Sequence, residues 1–272
     1  MLFNSNKDDD TSAGGAFETA VLIPSRWCVS TLLLQGIFVD FDRMQLGNSF
    51  NFTAGFAKDI TDSLYVGSNV NAGMFYGHGT DWTVSAAFGG LYNFGDLFLM
   101  KNVRAGAAFT NLGKMYTDTE VWGLKAEETG VWPAALTLRT GAAAVLLSKD
   151  KFDLGTSFDF VFPGFQNFVF DAALQMMYGG FVKLSTSWEF DSREYSNDAR
   201  NIIPSVGLSF KFMFNTKEDS YLASKGWQQS EITVSTAWKQ LYEDINAVSA
   251  GASINLGLKD TQAPEIKLWG EK

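Results

Sequence analysis

Residues that carry most enzymatic chemistry are scarce in this chain of 272 residues: there is one histidine, His78, and one cysteine, Cys28. A lone cysteine forms no internal disulfide and no cysteine-based zinc site, and a lone histidine removes most imidazole catalysis. His78 lies in Tyr76-Gly77-His78-Gly79-Thr80, whose glycines predict a turn rather than a ligand position. Glu127-Glu128 is not a glycosidase acid and nucleophile, because adjacent residues of a polar connection point apart. Gly77-x-Gly79 has no third glycine and no helix after it, so no phosphate loop is expected. Asn51-Phe52-Thr53 matches a glycosylation sequon but reads as mid-strand structure. The expectation is a protein that is not an enzyme, with no catalytic residues, no metal and no cofactor.

A second group of polar residues is more informative, because each stands opposite an apolar row: Arg104, Arg139, Asp153, Asp159, Asp171, Gln175, Lys183, Glu189 and Lys211. If those rows face lipid, a Lys or Arg on the same side at mid-bilayer would cost about 2–4 kcal/mol, so the charges are expected to face a lumen. Arg104 and Arg139 are expected to meet some of Asp153, Asp159 and Asp171 there, since strands adjacent in sequence are adjacent in a barrel. Mixed signs argue against a strongly ion-selective pore. With 30 acidic and 21 basic residues the net charge is −9 and the pI near 4.7, which argues against a nucleic-acid partner.

The elements that must position these residues are strands. Written as odd and even positions, Phe152–Phe162 gives Phe152, Leu154, Thr156, Phe158, Phe160 and Phe162 against Asp153, Gly155, Ser157 and Asp159. A strand puts those sets on opposite faces. Residues 134–147 split into Leu136, Leu138, Thr140, Ala142 and Leu146 against Thr137, Arg139, Gly141 and Ala143. The same alternation holds for 181–190, 205–214 and 248–258. Further strands are expected near Arg26, Met44, Leu64, Trp82, Phe98, Asn167 and Gln228, and weaker ones over 16–23 and 265–269. Pro264 limits the last to a short edge or closing strand. Tight turns are expected at Asn93-Phe94-Gly95-Asp96, Ser148-Lys149-Asp150-Lys151 and Gly179-Gly180, and longer connections over 113–132, 191–204 and 215–229.

Composition then selects the environment. With 24 Phe, 8 Trp, 8 Tyr, 26 Gly and 5 Pro, disorder and collagen are excluded. The apolar stretch 27–39 contains Ser30, Thr31, Gln35 and Gly36 and falls short of the roughly 17–25 apolar residues of a membrane helix. A water-exposed sheet face carries many Lys and Glu, yet only 19% of residues are charged and the polar rows are mostly Gly, Ser, Thr, Asn or Ala. Aromatics gather at the ends of the apolar rows, where interfacial girdles belong. The expected fold is all-β, an antiparallel transmembrane β-barrel of about 14 strands (12 to 14). Its domains are a polar N-terminal tail or truncated remnant over 1–15 and one barrel over 16–272.

Three stretches carry a family resemblance: Gly106-Ala107-Ala108-Phe109-Thr110-Asn111-Leu112-Gly113-Lys114, the run Trp-Pro-Ala-Ala-Leu-Thr-Leu-Arg-Thr-Gly over 132–141, and Ala250-Gly251-Ala252-Ser253-Ile254-Asn255-Leu256-Gly257. In these the chain resembles the FadL-like superfamily of outer-membrane barrels, with its PorV-related and spirochaetal branches, over roughly 26–258. The resemblance implies a bacterial outer-membrane location and passive transport of long-chain fatty acids or other hydrophobic nutrients. It also leaves two alternatives: a PorV-like partner in secretion or surface attachment, meeting another protein through the long loops, and a general porin. The Asn-Pro-Ala hatch motif of FadL-type transporters does not occur here, the start shows no signal peptide, and Gly270-Glu271-Lys272 replaces the terminal aromatic. Within 113–132, Tyr116, Trp122 and Trp132 supply aromatic surface beside Lys114 and Lys125, a candidate entry loop for an amphiphile with a carboxylate head. The same residues also suit anchoring at the membrane interface.

Overall fold

The computed structural model describes residues 2–4, 13–25, 27–40, 48–77, 79–117, 134–196, 203–215, 229–242 and 245–255. These form one all-β structure, an antiparallel sheet in which each long strand pairs with its neighbours in sequence. The strands are β1 (Leu2–Asn4), β2 (Ala13–Pro24), β3 (Val29–Asp40), β4 (Asn48–Asp59), β5 (Leu64–Gly77), β6 (Gly79–Leu97) and β7 (Met100–Lys114). They continue with β8 (Thr137–Lys149), β9 (Phe152–Phe162), β10 (Val169–Tyr178), β11 (Val182–Asp191), β12 (Ser205–Asn215), β13 (Gln229–Tyr242) and β14 (Ile245–Asn255). Helical geometry is confined, among the described residues, to a 3-10 turn at Pro163–Phe165 and the short α1 (Ser192–Ser196). The thirteen long strands β2–β14 do not close by themselves. The three residues of β1 lie between the first and the last, hydrogen-bonded to both β14 and β2, and complete the ring of strands.

Alternation sorts the side chains as the period-two pattern requires. Phe160, Phe170 and Phe190 stand in one cross-strand row of β9, β10 and β11, while Asp159, Asp171 and Glu189 form the row beside it on the opposite face. The Phe160 and Phe170 rings are 5.1 Å apart, and such cross-strand aromatic pairs contribute about 0.5–1.5 kcal/mol each. Glycine at Gly36 serves this packing, since the Phe17 ring of β2 fills the place its Cβ would take. At Gly179-Gly180 both residues have positive φ, 62° and 74°, as a tight hairpin turn demands.

Two differences from the sequence expectation have local causes. A β-bulge in β8 shifts the register between Val145 and Leu147, so Leu147 and not Leu146 stands opposite Leu154. Part of the expected tail over 1–15 belongs to the sheet, because Leu2–Asn4 makes β1 and Ala13 begins β2. The strands also define two ends of the ring. Connections at 25–28, 60–63, 98–99, 150–151 and 179–181 share the turn end, while 41–47, 115–136 and 192–204 share the loop end. The long 216–228 connection joins β12 to β13 at the turn end, so long and short connections do not strictly alternate.

Candidate functional site

One face of the sheet is aromatic and exposed, with Phe52, Phe56, Val70, Trp82, Phe88, Leu184 and Phe212 all open. The other face lines the cavities. The larger, of about 610 Å³, is walled by glycine and alanine of β5–β9 and carries three charges, Arg104, Arg139 and Asp159. Beside it a cavity of about 340 Å³ is bounded by Thr31, Thr53, Asn69 and Thr110 on β3, β4, β5 and β7. Small residues produce this space. Gly106 stands opposite Gly141 between β7 and β8, and the Asp159 carboxylate leans over Gly141 where a Cβ would otherwise be.

The polar residues singled out in the sequence fall on this face in a recognisable order. Asp159, Asp171 and Glu189 are side by side on β9, β10 and β11. Like charges directly opposite destabilise a sheet, and cations flank this row. Lys239 of β13 donates to Glu189 at 2.6 Å, and Arg139 is among the charges that act on Asp171. Nearer the turn end, Asp153 and Lys183 flank Met177 in one row, Gln175 lies between Gly155 and Ser185, and Lys211 pairs with Glu231 at 2.8 Å. The expected contacts of Arg104 and Arg139 with Asp153, Asp159 or Asp171 do not close into ion pairs. Among the described residues every such pair uses a lysine. Arg139 stands opposite Val161 and Arg104 opposite Ala143, while Asp159 stands opposite Gly141, so the arginines lie in the rows on either side of the Asp159 row and not directly across from it.

Sequence reasoning missed Lys239, Glu231 and Asp81. Lys239 and Glu231 were within reach of it, because both share with Thr233, Ser235 and Ala237 the polar row of β13, which alternates with Ile232, Val234 and Trp238. Asp81 opens a buried row with Thr83 and Ser85 on β6.

Asp81 organises the loop end. Its carboxylate is 5% exposed and accepts from Lys114 Nζ at 2.7 Å, from the Trp82 N–H at 2.7 Å and from the Thr117 N–H at 2.7 Å. Lys114 Nζ also donates to the Trp82 carbonyl at 2.6 Å and stands 4.5 Å from the centroid of the Trp82 ring. Residues Asn111 and Gly113 create the bend that brings this about. Asn111 takes a φ of 60°, and Gly113, at φ 155°, passes so close to Val84 that a Cβ would strike its carbonyl. Met115 and Tyr116 are thereby turned inward, each 3% exposed. The Tyr116 ring lies 5.8 Å from that of Phe75, and its hydroxyl sits over Gly73. Burial, with the Asp81 carboxylate close by, pushes the Tyr116 phenol up to about 12.

The entry-loop expectation is therefore divided. Lys114 already meets a carboxylate, that of Asp81, and Tyr116 is packed inside the mouth rather than offered to solvent. Trp122, Lys125 and Trp132 lie outside the described residues, as do His78 and Glu127-Glu128. No helix among the described residues is long and apolar enough to cross a membrane, and no cluster of His, Cys, Asp and Glu there suits a metal ion. No protein-family model matches the chain, and no curated protein matches it.

Proposed function

We propose that the chain is an outer-membrane β-barrel that passes long-chain fatty acids or other hydrophobic nutrients passively through its interior, in line with its resemblance to the FadL-like superfamily. The observation that carries the membrane part of this reading is the aromatic face. Side chains such as Val70, Trp82 and Phe56 are more than half exposed, and no second layer of described residues covers them. In a soluble sandwich that face would be packed against another sheet, and contiguous apolar surface of this extent is rare on soluble monomers. In lipid it is the favourable side, and the polar face becomes the lumen.

The cavity chemistry supports a hydrophobic cargo with an acidic head. Glycine and alanine walls give apolar surface close to the backbone, and Arg104 with Arg139 supplies positive charge at the same cavity. Its volume is within the roughly 300–1,000 Å³ of small-molecule sites.

The test uses purified protein in liposomes and measures saturable binding of a fluorescent long-chain fatty acid together with ion conductance. The expected result is binding in the parent chain and its loss in an Arg104→Gln, Arg139→Gln variant whose strand content by circular dichroism is unchanged. Large ohmic conductance without fatty-acid binding would replace the transport reading with that of a general porin. A monomer soluble without detergent would remove the membrane reading altogether.

A further inference from the structure

The two cavities on the polar face adjoin across a common floor. Ala57, Gly67, Gly89 and Ala108 border both, and they follow one another across β4, β5, β6 and β7 in a single cross-strand row that ends on Arg139 of β8. None of the four has a side chain beyond Cβ, so this floor puts no barrier between the two spaces. Their chemistry differs. In the larger cavity Arg104 and Arg139 form no ion pair or hydrogen bond among the described residues. The smaller cavity is bordered by no ionisable residue. Of its hydroxyls, that of Thr53 donates to Asn71 Oδ1 at 2.9 Å, that of Ser68 to the Ala87 carbonyl at 2.9 Å and that of Thr110 to the Thr137 carbonyl at 3.4 Å. Thr31 and Asn69 differ from these. They flank Gly55 in the next row, half-buried, and neither side chain has a hydrogen bond among the described residues.

We propose that the smaller cavity is a second polar subsite, which takes a hydroxyl on the chain of an amphiphile whose carboxylate meets Arg104 and Arg139. The inference rests on the transport reading above and narrows its cargo to fatty acids hydroxylated part-way along the chain. Spacing supports it. From Arg139 on β8 to Asn69 on β5 is three strand steps, about 14 Å at the roughly 4.8 Å between neighbouring strands, a distance that a long acyl chain spans over the glycine and alanine floor. The polar groups select the partner. An amide and a hydroxyl can each donate and accept, as an alcohol does. A plain hydrocarbon tail would displace water from Thr31 and Asn69 and leave both without a partner, which is costly. A second charge would find no counter-ion, since no ionisable residue borders this cavity.

Competition against a fluorescent long-chain fatty acid tests the subsite, with the full chain folded into liposomes. The competitors are oleic acid and ricinoleic acid, which carries a hydroxyl part-way along the same chain. The ratio of their affinities is compared between the parent chain and a Thr31→Val, Asn69→Ala variant, so that unequal partition of the two acids into lipid cancels. A net hydrogen bond changes affinity by roughly three- to tenfold, and the preference for ricinoleic acid should fall by that factor in the variant. Circular dichroism checks that strand content is unchanged, and Asn69→Ala alone carries the same test if the double variant does not fold. A ratio left unchanged by the substitutions overturns the subsite while the transport reading stands. If neither acid displaces the probe from the parent chain, the transport reading fails and the subsite falls with it.

Discussion

Asparagine in place of Asp81 is the sharpest perturbation of the loop end. The change keeps the shape of the side chain and removes its charge from a position that is 5% exposed. Three donors converge on that carboxylate, and the Thr117 N–H and Lys114 Nζ are the two that hold the chain after β7. A hydrogen bond to a charged group contributes about 1.5–3 kcal/mol. Lys114 is 35% exposed, so screening brings its share down to about 1 kcal/mol. The substituted amide would still accept one bond through its carbonyl oxygen, and the expected loss is therefore about 2–3 kcal/mol. Glu231→Gln provides the comparison, because Lys211 and Glu231 are 34% and 30% exposed and their pair is worth at most about 1 kcal/mol. Urea unfolding in detergent, followed by tryptophan fluorescence, measures both variants against the parent. If Asp81→Asn and Glu231→Gln cost the same, Asp81 is not the anchor of the inward-turned segment and the account of the loop end fails.

Three further outcomes are expected. The Tyr116 phenol, held near 12 in the folded chain against an ordinary 10.0, binds its proton more tightly folded than unfolded. Its contribution to stability is whole below about pH 10 and is lost as pH climbs toward about 12, so Tyr116→Phe should flatten the fall in unfolding midpoint over that window. Arg139→Glu adds an acid beside the row of Asp159, Asp171 and Glu189, and should weaken heat-modifiable gel migration more than Lys149→Glu beside the 150–151 turn; equal behaviour would count against the row. Leu184→Arg on the aromatic face should cost about 2–4 kcal/mol in lipid while Ser185→Arg on the polar face costs much less, as read by folding into liposomes.

Local chemistry alone fixed much of this protein. Alternation in 152–162, 181–190 and 205–214 placed β9, β11 and β12 and assigned their two faces, because the side-chain period of a strand is two whatever its neighbours are. The scarcity of charge and the lone His78 and Cys28 set the expectation of a non-enzymatic barrel in the same way, from residue types. Pairings that depend on register were beyond it. The bulge at Val145 and Leu147 put Leu147 where Leu146 was expected, and the charges closed as Lys239–Glu189 and Lys211–Glu231 instead of through arginine. One inserted residue shifts every pairing beyond it, and nothing in the spacing of Leu146 and Leu154 announces it. The fate of Tyr116 was likewise decided by tertiary structure. Its sequence context, an aromatic between Lys114 and Thr117, suits a solvent-facing loop, whereas Asn111 and Gly113 bend the chain so that Asp81, distant in sequence, draws it into the mouth. A buried carboxylate that satisfies donors from two strands is a property of their closeness in space, which the order of residues along the chain does not contain.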